Sequence, residues 1–367
     1  MLKRIHISGY RSLLDLSCDL TEMTVISGEN GVGKSNFYKA LLLVKALAEG
    51  NFAQALANEG GMVSALWAGE RKRHETKTIS IRVEHSDFTY YAKIGLIPSS
   101  PTDPSFFKTD PDIKDEKVSI QLKNSQRTVA KRSGNQLMLS ENTQGMEHFE
   151  FSLLSNESIL SQVKDPSRYP FLCLVRSTIL EWRFFHEFDT SQHSILRHPQ
   201  VSYYSPFLND DGSNLLGALQ SIVESGNEYR LSEFFTRAFP DLQFSIEAEQ
   251  NYFRLEVFRH DLSRPLTAIE LSDGTLRFLC LLAALLSPHQ PHLLVFNEPE
   301  MSLNSRIYPV LAQLLSESQA QLLVVSHDQK LAGHLSQAGA SSIQLMLQSG
   351  ATIHTEHAGS HKVWSFD

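Results

Sequence analysis

The most specific chemistry in the chain lies in eight consecutive residues, Gly28-Glu29-Asn30-Gly31-Val32-Gly33-Lys34-Ser35. Their spacing is G-x-x-x-x-G-K-[ST], in which backbone N–H groups cradle a polyphosphate. In that pattern Lys34 reaches the β- and γ-phosphates and the Ser35 hydroxyl sits on Mg²⁺. The flanks agree with it. Met23 to Ser27 reads as a short buried strand, and Ser35 to Ala48 as a helix with Leu41, Leu42, Val44 and Leu47 on one side. A strand, a glycine-rich turn and a helix N-terminus bring N–H groups and the positive end of a helix dipole to one point.

Three further stretches place polar residues where an open α/β sheet does its chemistry. Leu293-Leu294-Val295-Phe296 has the unbroken apolar character of a buried parallel strand and ends in Asn297-Glu298-Pro299-Glu300. Leu322-Leu323-Val324-Val325 is a second such strand, ending in Ser326-His327-Asp328. Ligands and catalytic groups gather at the carboxyl ends of such strands. Leu271-Ser272-Asp273-Gly274-Thr275 opens an apolar helix from Leu276 to Leu286; taken alone it is an ordinary helix cap.

These stretches need a framework. Lys3 to Ser8 and Leu13 to Leu20 read as strands ahead of the glycine-rich turn, and Gly50 to Glu70 as a loop around an exposed Trp67. Ile79 to Ile97 has the alternation of a hairpin turning at Ser86-Asp87. Pro98, Pro101, Pro104 and Pro111 mark a surface loop or a lobe boundary as far as Asp115. Short strands follow near 118–122, 128–131, 137–140 and 149–153. The pattern is helical over 170–188, 215–223 and 231–239, with strands at 244–246 and 253–258. No internal repeat is visible. Strands, prolines and glycines between Lys34 and Leu271 exclude a long coiled-coil arm.

The 367 residues can bury a large core, and two lobes are expected. A net charge of −8 means that any DNA contact comes from a local patch rather than the whole surface. Basic clusters are confined to Arg71-Lys72-Arg73-His74 and Lys131-Arg132, and short runs of this kind are usually solvated turns. Cys18, Cys173 and Cys280 are too scattered for a disulfide framework or a zinc site and read as buried thiols. The N-terminus lacks the apolar run of a signal peptide, and Phe278 to Leu286 falls far short of a membrane span. A cytoplasmic protein without membrane contact is expected. Trp182-Arg183-Phe184-Phe185 and Tyr203-Tyr204 could stack bases, although such aromatics are more often core.

In this order, the phosphate loop, Leu-Ser-Asp-Gly-Thr, the apolar strand with Glu-Pro-Glu and the strand with His resemble the Walker A, signature, Walker B and switch-histidine set of ABC-type ATPase heads. Gly-Glu-Asn-Gly-Val-Gly-Lys-Ser-Asn is similar to the SMC/RecF branch and to stand-alone AAA-family ATPases related to the OLD proteins. The resemblance covers about the first 70 and last 110 residues. It implies an α/β P-loop NTPase with an ABC/SMC-like head, a mixed sheet flanked by helices, plus an inserted β-rich and helical lobe. The expected division is a split head at 1–70 and 261–367, a β-rich insertion at 71–170, and a helical and β lobe at 171–260.

The resemblance also implies the cofactors ATP and Mg²⁺. The nucleotide contacts are then Asn30, Gly31, Gly33, Lys34, Ser35 and Asn36, with Arg11 beside them. Two copies dimerise face to face, and Ser272 and Gly274 of one present a helix N-terminus to the γ-phosphate held by the other. Glu298 becomes the general base and His327 a contact to the γ-phosphate or the attacking water, while Ser35 and Asn297 serve the metal. The sequence departs from the pattern at Asn297, where Asp is usual. An amide keeps an acceptor oxygen but loses the charge that holds Mg²⁺, which implies slow turnover. No glutamine is assigned to the Q-loop; Gln192 and Gln200 lie in the right interval.

Three readings stay open for what the ATPase serves. The first is a DNA-linked clamp or motor. The second is the ATPase of an assembly, of repair or phage-defence type, gating a separate effector or nuclease chain. The third is a non-hydrolysing switch or scaffold in which ATP only sets dimerisation.

Overall fold

In the computed structural model the described residues are 1–69, 77–97, 104–123, 125–141, 145–149 and 153–355. Along the chain run β1 (Leu2–Tyr10), β2 (Leu13–Asp19), β3 (Met23–Gly28), α1 (Lys34–Glu49), α2 (Phe52–Asn58), α3 (Gly61–Ala65), β4 (Thr78–His85), β5 (Phe88–Leu96), β6 (Pro111–Gln121), β7 (Gln126–Ser133), β8 (Gln136–Ser140), β9 (Met146–His148), α4 (Ile159–Gln162) and α5 (Pro170–Leu180). Then come β10 (Arg183–Phe185), β11 (Gln200–Val201), α6 (Leu215–Ile222), α7 (Glu228–Ala238), β12 (Leu242–Glu249), β13 (Tyr252–Arg259), β14 (Leu266–Thr267), α8 (Asp273–Leu286), β15 (Leu293–Asn297), α9 (Tyr308–Ser316), β16 (Gln321–Val325), α10 (Gln329–Gln337), β17 (Ser341–Gln348) and β18 (Ala351–His354). The chain divides into two compact units, one of Met1–Thr21, Gly28–Trp182 and Ile343–Asp367, the other of Glu22–Ser27 and Arg183–Ser342. The stretch 1–70 contributes to both units, 71–170 lies in the first, and 183–260 in the second.

The first unit is built on an antiparallel sheet in the order β2-β1-β4-β5-β6-β7-β8-β9. Alternation sets its face: Phe88, Tyr90, Ala92 and Ile94 of β5 are buried while the residues between them are not. β4 and β5 form the expected hairpin, with Glu84 opposite Thr89. A buried carboxylate, Glu116, accepts from the Tyr90 hydroxyl at 2.7 Å, the Ile159 N–H at 2.8 Å and the Ser158 hydroxyl, tying β5 and β6 to the start of α4. α1 packs its apolar side against α2, α4 and α5.

The second unit carries parallel strands in the order β10-β15-β16-β3. Their continuous apolar runs are buried on both faces, the usual state of parallel strands. Asn297 stands level with Val325, and Val325 with Ile26. The ends of β15, β16 and β3 are therefore side by side, and the chain reaches Gly28 two residues beyond Ile26. α8 is buried along nearly its whole length in this unit's core, where Phe185 stacks on Phe296 with ring centroids 5.2 Å apart.

Several local expectations are corrected. The segment 50–70 holds α2 and α3, and Trp67 is half-buried, its N–H bonded to the Gly9 carbonyl at 2.8 Å. The proline-rich loop ends earlier than expected, because Pro111 opens β6, a position where its missing N–H costs no ladder bond. Helix α5 stops at Leu180, and Arg183–Phe185 becomes a parallel strand beside β15. Trp182, Phe184 and Phe185 are core residues, whereas Tyr203 and Tyr204 are exposed. Cys173 is only half-buried, unlike Cys18 and Cys280. Arg132 is buried in β7, donating to the carbonyls of Gly134, Leu154 and Glu157, so the Lys131-Arg132 pair offers no basic patch. Residues 71–74 and most of the strand expected at 149–153 lie outside the described residues.

Candidate functional site

In the first unit Gly33 caps α1 in the left-handed region, at φ 102°. Glycine is required there twice over. A side chain would be strained, and a Cβ would stand 2.2 Å from Thr352 Oγ1 and 2.5 Å from Ser12 Oγ. Those hydroxyls form the floor of the loop: Asn36 Nδ2 donates to Ser12 Oγ at 2.8 Å, Ser12 to Thr352 at 2.7 Å, and Thr352 to the Val32 carbonyl at 2.7 Å. Thr352 is fully buried. Lys34 curls over the loop, its ammonium donating to the carbonyls of Gly28 at 2.7 Å and Glu29 at 2.8 Å. Asn30, Gly31 and Ser35 are exposed, on a loop whose hydroxyl floor lies beneath. Arg11 is engaged elsewhere: it donates to Glu59 Oε2 at 2.9 Å, and Tyr10 donates to the same oxygen at 2.6 Å. Burial first, then this carboxylate, pushes the Tyr10 hydroxyl far above its ordinary range.

In the second unit Ser272 is the N-cap of α8, its Oγ accepting from the Thr275 N–H at 3.2 Å. Gly274 lies close to backbone, for a Cβ there would meet the Ser302 carbonyl at 2.5 Å. The approach to this helix start is held by Arg197, which sequence reasoning missed. Its buried guanidinium donates to the carbonyls of Thr190 at 2.8 Å, Ala268 at 3.1 Å and Leu271 at 2.8 Å, and to Asp273 Oδ1 at 2.6 Å. Ahead of it, Thr267 and Glu270 form a capping box. Arg264 first, then the Thr267 N–H, pull the Glu270 carboxyl down to about 2.

The strand ends carry the remaining groups. Asn297 is buried at the end of β15, its amide Nδ2 2.6 Å from His186 Nδ1, while its Oδ1 is buried with no hydrogen-bond partner. Glu298 follows at φ 54°, a left-handed conformation costing a side-chain-bearing residue about 1–2 kcal/mol. Its N–H donates to the Val325 carbonyl at 2.7 Å, so the turn is anchored on β16. His327 Nδ1 lies 3.8 Å from Glu298 Oε2 and 3.5 Å from Glu300 Oε1. Glu300 is buried and gathers the His327 loop, its Oε1 accepting from Ser326 Oγ at 2.6 Å, the His327 N–H at 3.2 Å and the Asp328 N–H at 3.3 Å. Burial raises the Glu300 carboxyl above its ordinary range, partly offset by the Ser326 hydroxyl. Asp328 caps α10 and accepts from the Tyr308 hydroxyl at 2.8 Å. A cavity of about 10 Å³, room for one water, is lined by His186, Arg277, Asn297 and Glu298 among apolar neighbours.

Strained backbone at Glu298, a buried carboxylate bracing a histidine and an unshared amide oxygen stand together at these strand ends, features that mark a candidate functional site. In the second unit Asn297 offers a bare acceptor oxygen of the kind that a metal-bound water meets, and in the first unit Ser35 offers an exposed hydroxyl, both of them oxygen donors of the kind Mg²⁺ takes. Among the described residues no group of three or more His, Cys, Asp or Glu could hold a metal by itself.

The fold is that of an ABC/SMC-like P-loop ATPase head. Two solved structures share it across nearly the whole of both chains. An SMC head bound to the C-winged helix domain of ScpA is 14% identical with a TM-score of 0.51, covering 96% of this chain and 97% of that one. An SMC head domain with an extended coiled coil, bound to the C-terminal domain of ScpA derived from Pyrococcus furiosus, is 12% identical with a TM-score of 0.51, covering 96% and 95%. The family described as "AAA domain, putative AbiEii toxin, Type IV TA system" matches residues 23–332, and the chain belongs to it. No curated protein matches the sequence. No helix among the described residues is long and apolar enough to cross a membrane.

Proposed function

We propose that the chain binds ATP and hydrolyses it slowly, and that ATP joins two copies. The triphosphate lies on the N–H groups of 30–36 with Lys34 moving from its loop carbonyls to the β/γ oxygens. Mg²⁺, when bound, neutralises charge on those oxygens; Ser35 and Asn297 are the residues to hold it. Glu298 accepts a proton from water as that oxygen bonds to the γ-phosphorus, and the bond to the β–γ bridging oxygen breaks, leaving ADP and phosphate. His327, braced by Glu300, holds the water or the γ-phosphate. Ser272 and Gly274 of a second copy add a helix N-terminus to the phosphates, so hydrolysis removes contacts and releases the pair. Arg11, whose guanidinium is held by Glu59, is given no contact to the nucleotide in this reading.

The observation that carries this reading is Glu298: a carboxylate at a left-handed turn on the end of a parallel strand, facing a histidine fixed by a second carboxylate. ATP turnover compared between wild type and Glu298→Gln tests it. A fall of about 10²–10⁴-fold with ATP retention intact is expected. Equal turnover in the two proteins would sink it. The amide at Asn297 favours one second reading, a switch in which ATP sets dimerisation without hydrolysis, and wild type that pairs with ATP yet shows no measurable turnover would establish that.

The family description names a toxin of a toxin–antitoxin system, and this supports a defence role over repair. The SMC heads of similar fold carry ScpA domains, which supports a separate protein partner. DNA remains a partner of the first reading only, to be read from binding that weakens steeply with salt.

A further inference from the structure

We infer that His186 is a positioning residue of the site, holding the Asn297 amide so that its carbonyl oxygen, not its NH₂, is presented to the metal. The inference rests on the ATPase reading above and deepens it. A carboxylate at position 297 would offer oxygen whichever way it turned. An amide offers oxygen on one side and hydrogen on the other, so an Asn can serve a cation only if something fixes its rotation. β10 supplies that group. Register places Phe185 level with Phe296, so His186, the residue after β10, comes beside Asn297 at the end of β15. His186 Nδ1 lies 2.6 Å from Asn297 Nδ2. An amide NH₂ only donates, so Nδ1 accepts and the imidazole proton is on Nε2.

The consequence is visible on the other atom of the amide. Asn297 is 2% exposed, and its Oδ1 is buried with no partner in the protein. A buried acceptor left unmatched is costly, and a fold tolerates it where the atom has a ligand to meet. Asn297 borders the one-water cavity together with His186, Arg277 and Glu298, and Arg277 Nε is likewise buried without a partner. His186 and Asn297 together thus replace the single carboxylate usual at this place.

The test is Mn²⁺ binding, followed by the EPR signal of the free ion, to the full chain loaded with ATPγS. Wild type, His186→Phe, His186→Gln, Asn297→Asp and the double variant His186→Phe/Asn297→Asp are compared. His186→Phe removes the acceptor and is expected to weaken Mn²⁺ about tenfold, as loss of a residue behind a metal ligand does. His186→Gln, whose amide oxygen can accept in its place, is expected to stay near wild type. Asn297→Asp is expected to bind Mn²⁺ more tightly and to be indifferent to His186→Phe, because a carboxylate needs no orienting.

If His186→Phe weakens Mn²⁺ equally with and without the Asn297→Asp change, or has no effect on the otherwise wild-type chain, the proposal is overturned. ATPγS retention measured in the same samples separates the two ideas. If wild type holds no nucleotide, the ATPase reading falls and this inference with it. If nucleotide stays and Mn²⁺ ignores His186, only the inference falls. Should His186→Phe not fold, His186→Ala is read instead.

Discussion

Glu300 shows how one buried carboxylate can organise a loop. Its Oε1 collects the Ser326 hydroxyl and two backbone N–H groups around His327, while Oε2 is buried without a partner. The cost appears in ionisation, since burial raises its folded-state affinity for a proton above that in the unfolded chain. The native state therefore binds more protons than the unfolded one between the ordinary value of 4.5 and the raised value. Stability should fall as pH climbs through that window. Glu300→Gln keeps the acceptor oxygen and loses the titration. Urea-unfolding midpoints across pH 5 to 8 should therefore decline less steeply for the variant, and parallel curves would remove Glu300 from the account. Of the strand-end residues, Asn297, Glu298 and His327 were legible because they close apolar runs. His186 was not, because the three residues before it, Arg183 to Phe185, continue a helical pattern in sequence.

At the scale of elements, the start of α8 is a loop fastened from outside itself. Arg197 directs its donors to the carbonyls of Thr190, Ala268 and Leu271 and to the Asp273 carboxylate, with its side chain 8% exposed. Arg197→Ala strips charged donors from three buried carbonyls and should cost about 1.5–3 kcal/mol, read as a lower urea midpoint. It should also weaken ATP-dependent pairing, since Ser272 and Gly274 lose their support. Arg197→Lys would reproduce the charge without the fork and recover little of either. A midpoint within error of wild type for Arg197→Ala would refute this. The helix itself could be read from Ser272 and the apolar run; its tether lies over 70 residues away in sequence and left no local mark.

For the whole molecule, the expectation is mass. With ATP and Mg²⁺ the 41.3 kDa chain should double in light scattering, while Lys34→Ala should remain single and release its nucleotide. A single-chain mass for both proteins, with nucleotide retained by the variant, would dismiss the sandwich. The sequence by itself determined the phosphate loop, the parallel strands and the polar groups that end them. It could do so because each is a local pattern: glycine spacing, an unbroken apolar run, a cap. Tertiary structure decided the rest. Ser12 and Thr352 meet under Gly33 across 340 positions of chain, and Arg183 to Phe185 become a strand because β15 offers them an edge. Long-range pairing overrides local preference where burial is deep, and burial is set by neighbours that no window of sequence contains.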